Sequence, residues 1–493
     1  MEDIIAALVK LRSKPTLHFC REMDLHGRIM QLVRHLVRAR GVKPTPFIYE
    51  CVMDAMADPQ GSASGVRRLL DDMAALKLAP TVDMCEAALA ALANHPDYML
   101  RLDVLATMKE HWLPVRTRAK QYVVLGMLRD GQYELAYARL SEMLDGGIVV
   151  EAWVLDVFIL SLGNLGFVEE MLSLLHRRTA SEEEKASLAC YALDVCSQAF
   201  HHAGTVYSWT AAVQLARLEP PDGTVENVLA TAARHGDTRL ATQALDVLSR
   251  RGKMLTSHYE AVCDAFAQAG DVPGMLRIGR IMHQHGIRFL RPSARVLHSC
   301  LTADAAAIPA AAEALRALQP DAKTPPAMVA VILETIAQAI GSEAILDVYA
   351  NLPLLCGHHP DALLLHALII NARQTHTCRR LADEYLASIP ADPRRSAPAW
   401  TALISALVDA QHLDLAFRFA AGALGQPGIP ARAHLGWVKT LVACAAARED
   451  QRIWPVLDIL GRAGGAEVAH EVRLWLRRTR LVRQTGGDAV EEA

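Results

Sequence analysis

The sequence predicts an all-α chain, an α-solenoid of about 12–13 helix-turn-helix repeats of roughly 35 residues each. Three observations predict it. Helix-breaking residues recur at a near-constant interval. Each interval holds two amphipathic stripes of helical period. Hydrophobic residues reach 52% while aromatics stay at 5%, and the surplus is Ala and Leu, both helix formers.

The punctuation runs along the chain. Gly41-Val42-Lys43-Pro44, Leu78-Ala79-Pro80 and Trp112-Leu113-Pro114 are followed by Gly147-Ile148-Val149, and one further boundary is expected at Ser181 to Lys185. Pro221, Leu255 and Phe289 continue it, then Thr324 with Pro325-Pro326, Pro360, Arg395, Pro430 and Gly465. From 44 to 465 the phase advances 421 residues in 12 steps, or 35.1 per step. Pro is tolerated at such junctions because a first-turn N–H has no helical partner.

Within a unit, Trp400, Leu403, Ile404, Leu407 and Val408 share one helical face. The polar turn Asp409-Ala410-Gln411-His412 follows. Leu413, Ala416, Phe417, Ala420, Ala421 and Leu424 form a second face, stopped by Gly425 and Pro427. Ala136, Leu140, Met143 and Leu144 make a second helix ended by Gly146-Gly147, and Tyr259, Val262, Cys263 and Phe266 a first helix ended by Gly270-Asp271. Ser181 and Glu184 read as a capping box. One helix pair cannot bury both stripes, whereas stacked pairs can. The expected organisation is a partial repeat over 1–43, the array over 44–465, and a basic capping helix with an acidic tail over 466–493.

Composition narrows the function. Lys plus Arg is 51 and Asp plus Glu 54, a net charge of −3, so any basic surface is local. The 10 cysteines contain no CxxC and lie among apolar neighbours, which fits buried thiols in a reducing compartment. The most apolar stretch, Gly147 to Gly163, carries Glu151 and Asp156, so no membrane span is expected. MEDIIAALVK is neither a signal peptide nor an Arg-rich transit peptide, and a cleaved leader is either lacking or lies upstream of these residues. No P-loop, nucleophile elbow, zincin helix or dinucleotide fingerprint occurs. His201-His202 and His358-His359 have no Cys or carboxylate at structural-zinc spacing. The expectation is a binding scaffold, not an enzyme, with no cofactor, no metal and no small-molecule substrate.

Several units resemble pentatricopeptide repeats. Trp400-Thr401-Ala402-Leu403-Ile404 is similar to that family's first-helix opening, Asp414-Leu415-Ala416 to its Asp-x-Ala, and Gly41-Val42-Lys43-Pro44-Thr45 to its Gly-x-x-Pro-Asp ending. Phe47-Ile48-Tyr49-Glu50 and Ser257-His258-Tyr259-Glu260 place Tyr at the fourth position. The resemblance implies a right-handed superhelix, organellar and usually mitochondrial location, and single-stranded RNA or rRNA as partner, with a protein partner as the alternative. It also implies that the fifth and last residues of a repeat read one base. The fifth-position equivalents are Glu50, Glu260 and Thr401, with Lys120 or Gln121 and Arg295 where the register is loose. Their terminal partners include Thr81 for Glu50 and Ala431 for Thr401, and no unit shows a full reading pair. Arg118, Lys120, Arg129, Arg234, Arg295, Arg373, Arg394 and Arg395 fall on first helices or their starts and are the expected phosphate contacts. Arg477, Arg478, Arg480 and Arg483 form a basic terminal helix.

Overall fold

The computed structural model describes residues 2–12, 25–178, 182–304, 306–319, 323–357, 361–388, 393–426 and 429–487. All regular structure among these residues is helical, and none is a strand. The capping box at Ser181, the His358-His359 pair, Pro360 and Pro427 lie outside the described residues. The chain forms two compact units, Met1–Thr224 and Val225–Ala493.

In the first unit, Glu2–Arg12 and Leu25–Arg34 precede four hairpins. These pair Pro46–Ala55 with Ala63–Ala75, Val82–Asn94 with Tyr98–Glu110, Thr117–Arg129 with Tyr133–Asp145, and Ala152–Asn164 with Val168–Arg177. Glu182–Gln198 and His202–Trp209 make a fifth. The first helices of the five hairpins pack on one another in series.

In the second unit, Thr256–Gln268 pairs with Val272–Gln284, Arg295–Ala303 with Ala307–Arg316, and Ala362–Ile370 with Thr375–Ser388. Pro393–Asp409 pairs with Leu413–Leu424 and Leu435–Ala446 with Ile453–Leu460, ahead of Ala466–Gly487. Pro326–Ile340 runs 15 residues, and its companion is split into Leu346–Ala350 and Leu352–Cys356, where Pro353 opens the second piece. Here too the first helices stack in order, from Thr256–Gln268 to Ala466–Gly487.

A repeating stop signal sets the interval. At the end of several second helices one residue takes a left-handed backbone: Lys77, Trp112 and Gly147 in the first unit, Gly252 and Gly286 in the second. The next residue then donates its N–H back to a carbonyl five residues earlier: Leu78 to Met73 at 3.0 Å, Leu113 to Met108 at 2.8 Å, Ile148 to Met143 and Ile287 to Met282, both at 2.9 Å. This closure satisfies the last carbonyls of a helix, and it favours an apolar contact between the two residues it joins. In these four turns the sequence supplies that contact as an aliphatic residue against a buried Met, whereas at Gly252 the bond joins Lys253 to Leu248. The phase of these hairpins is thus held by local chemistry.

Helix starts differ in one respect from the sequence reading. Pro44 and Pro80 do not occupy first turns; each lies two residues upstream of its helix, and the caps are Thr45 and Thr81. The Thr81 hydroxyl accepts from the Met84 N–H at 3.2 Å. Pro disfavours helical backbone in the residue before it and so keeps the connecting segment extended. Three second helices are capped by carboxylates, Asp97, Asp237 and Asp271, each accepting from the N–H three residues on.

The cores are aliphatic. Met53, Leu92, Met108, Phe158 and Leu140 are fully buried in the first unit, and Ile332, Leu403, Trp437 and Leu457 in the second. Cys85, Cys196, Cys356 and Cys378 are buried, and burial pushes their thiols up to about 11, 12, 11 and 11. They are packing residues held as unreactive thiols.

Candidate nucleic-acid interface

The candidate face is the one built by the first helices, and its geometry turns on their fifth residue. Counting from each helix start, that residue is Glu50, Glu86, Gln121, Asp156, Glu226, Glu260 and Lys439 in seven of the helices. Six of the seven contact the segment that opens the next helical unit, and Asp156 contacts Arg178, the C-cap of its own hairpin. Thr81 Oγ1 donates to Glu50 at 2.8 Å, and Arg116 sits 3.7 Å from Glu86. Gln121 Nε2 donates to the Val149 carbonyl at 3.4 Å, and Arg178 donates to Asp156 at 2.8 Å. In the second unit His258 Nε2 lies 3.2 Å from Glu226, Ser293 donates to Glu260, and Lys439 Nζ donates to Glu471 at 2.9 Å.

The position at which the resemblance implies base reading is therefore engaged by the chain itself. Burial holds the Glu86 carboxyl above its usual pKa, an effect that Arg116 opposes. Arg178 is almost wholly buried against Asp156. One turn beyond Glu260, burial and the neighbouring Glu260 charge raise the Asp264 carboxyl to about 6. A face lined with paired carboxylates offers a base few free donors and repels phosphate.

The three expected reading residues divide accordingly. Glu50 and Glu260 belong to this ladder. Thr401 does not, because its helix begins at Pro393, seven residues before the Trp400 stripe. Its hydroxyl donates to the Ala397 carbonyl of its own helix at 3.0 Å. Sequence reading missed Glu86, Asp156 and Glu226. The available signal was an acidic residue at 35- or 36-residue spacing from Glu50, obscured because Gln121 breaks the acidic series.

The expected phosphate contacts take varied places. Lys120 and Arg295 are exposed, and neither has an ion-pair partner among the described residues. Arg118 donates to the Tyr122 hydroxyl at 3.0 Å and lies over that ring. Arg129 donates to the Asn94 carbonyl and to Asn94 Oδ1 at 2.8 Å, capping the C-terminus of the preceding first helix. Arg234 is exposed near the end of Asp222–His235. Arg373 lies in the turn after Ala362–Ile370, where its backbone N–H and that of Gln374 donate to Glu343. The side chains of Arg394, Arg395, Arg477, Arg478, Arg480 and Arg483 lie outside the described residues. His201 is a cap, accepting from the Gly204 N–H while its Nε2 meets Glu169 at 2.8 Å. Among the described residues no helix is long and apolar enough to cross a membrane.

This is a helical-repeat solenoid whose units are tied edge to edge. Residues 222–352 match the family model described as "Pentatricopeptide repeat-containing protein", so this part of the chain is similar to that family. No curated protein sequence matches it. Among solved structures, the maize pentatricopeptide repeat protein PPR10 aligns over 99% of this chain and 82% of its own, at 16% identity and a TM-score of 0.33. The same protein in complex with an 18-nt psaJ RNA element aligns over 95% and 79%, at 14% identity and a TM-score of 0.29. A circular tandem repeat protein aligns over 95% and 97%, at 13% identity and a TM-score of 0.13. At these scores the neighbours carry no argument about the ligand.

Proposed function

We propose that this chain is a non-enzymatic RNA-associated scaffold of an organelle, acting in mitochondrial transcript stability, processing or translation. The reading is carried by the family match over residues 222–352, within which the first helices expose Arg234 and Arg295. The fifth-residue ladder shapes what kind of binding this is. With Glu50, Glu86, Asp156, Glu226 and Glu260 engaged by the chain, affinity rests on backbone charge and shape rather than on a residue-by-residue base code. In this reading Ala466–Gly487 serves as the polar cap that a solenoid needs.

The test is filter binding of the full chain to mitochondrial RNA at low and at physiological salt. Binding that weakens steeply with salt is expected, and absence of binding at both salts removes the proposal. A second reading is a protein-binding scaffold, such as a respiratory-complex assembly factor or a structural subunit associated with the mitoribosome. The net charge of −3 and the self-engaged carboxylates favour it. Partners that stay bound through nuclease treatment select the second reading; partners released by it select the first.

A further inference from the structure

The turn that ends Tyr98–Glu110 carries a side chain that the fold does not use. Trp112 is 93% exposed, and its backbone has a φ of 54°. At the equivalent stops the left-handed residue is Gly41, Lys77, Gly147, Arg217, Gly252 or Gly286. A bulky side chain there strains the backbone, and one that buries nothing regains nothing by packing. Leu113, the next residue, makes the apolar contact that closes the turn, so stability does not call for an aromatic at 112.

The surroundings of Trp112 hold flexible basic side chains as well as acids, Asp71 and Asp103 among them. Lys109 and His111 belong to the same turn and are exposed, with Glu110 as its one acid. Lys77, from the previous stop, lines with His111 a cavity of about 520 Å³ between Ala63–Ala75 and Tyr98–Glu110. Arg116 follows four residues later but is engaged by Asp83 and Glu86. A flat, fully presented indole near the flexible ammonium groups of Lys77 and Lys109 suits an unpaired base with its flanking phosphates, since aromatic stacking and backbone charge together bind single strands without reading sequence.

We propose that Trp112 is a stacking platform for an unpaired base of a single-stranded RNA, with Lys77, Lys109 and His111 meeting the adjoining phosphates. It lies at the end of a second helix, outside the fifth-residue positions, and supplies affinity that the self-engaged ladder does not. The inference rests on the RNA reading above, and its test separates the two. Full-length wild type, Trp112→Gly and Trp112→Phe are titrated with labelled oligo-U and oligo-A strands of about 20 nucleotides at several salt concentrations. Thermal melting is followed on the same samples. Trp112→Gly binds both strands about tenfold more weakly, with the wild-type salt slope because no charge is removed. Its melting temperature is unchanged or higher, because Gly relieves the left-handed strain. Trp112→Phe stays within about threefold of wild type. If wild type binds strands and Trp112→Gly binds them equally well, the platform is refuted and the indole belongs to a protein contact. If Trp112→Gly loses affinity only together with a fall in melting temperature, the residue is structural and the platform is again refuted. If wild type binds neither strand at any salt, the RNA reading itself fails.

Discussion

The hairpins between residues 46 and 164 and those between 291 and 388 solve the same stacking problem differently. In the first region the first helices begin 35 or 36 residues apart, the stop signal repeats on Met73, Met108 and Met143, and the fifth residues Glu50, Glu86 and Gln121 each tie one hairpin to the next. In the second the helix lengths vary and one second helix is broken, so the fifth residue of Pro326–Ile340 is Ala330, which forms no such tie. The tie is made instead by Arg291, which pairs with Glu334 at 2.6 Å and with Asp361 at 2.9 Å and so spans two hairpins at once. Regular spacing allows many short ties of modest strength. Once the spacing drifts, a single long side chain with a planar, multivalent head does the work of several.

The largest expected effect tests a buried member of the regular region. Arg101 is 1% exposed and lies 2.5 Å from Asp130 across two hairpins. A Cβ on Gly126 would lie 2.7 Å from its guanidinium, so that helix is glycine where the arginine passes. Arg101→Ala leaves Asp130 unpaired over a cavity and costs about 3 kcal/mol, read as a lower urea midpoint. Gly126→Ala displaces the same guanidinium and costs about 1–3 kcal/mol. A loss below about 0.5 kcal/mol for Arg101→Ala shows that the pair is dispensable.

Arg291→Ala comes next. It removes the tie to Asp361 and leaves the half-buried Glu334 unpaired, with an expected cost of about 2 kcal/mol. Arg291→Lys recovers only part of it, because an ammonium does not reach two carboxylates in a forked geometry. Full recovery by Lys contradicts the two-hairpin clamp.

Asp264 gives a pH-dependent prediction. Its folded carboxyl titrates near 6 against an ordinary value of 3.8, chiefly through burial. The folded state thus holds its proton more tightly, and its stability falls as pH rises from about 4 to 6. Asp264→Asn removes this dependence. It stabilises at pH 7 and has no effect near pH 3.5, so equal effects at both pH values contradict the burial argument.

The smallest effects belong to single rungs. Glu50→Gln, Thr81→Val and the double variant form a cycle with an expected coupling of about 1 kcal/mol. The exposed Arg316–Asp347 pair is worth less than about 0.5 kcal/mol despite its 2.7 Å separation.

The repeat was legible in the sequence because its marks are local. Gly41 and Gly147 close helices by backbone preference, and the stripe from Trp400 to Val408 declares its period in nine residues. Helix starts were less legible. Pro393–Asp409 begins well before its apolar stripe, since its first turns lack the bulky apolar pattern that marks the rest. The face was partly legible. Glu50 and Glu260 stood out as carboxylates at an unexpected place, but their partners Thr81 and Ser293 lie more than 30 residues on, where only the packing of one hairpin on the next brings them into contact. Arg129 read as a free cation, and it became a helix cap for the same reason.

The measurement that bears most directly on a self-engaged face is the affinity of the full chain for a panel of unrelated single strands of equal length, taken at one salt concentration. Affinities within about fivefold of each other, sharing one salt slope, are predicted. A preference of a hundredfold or more for one sequence, lost on mutating Glu50 or Glu260, would show that these carboxylates read bases and would contradict the account.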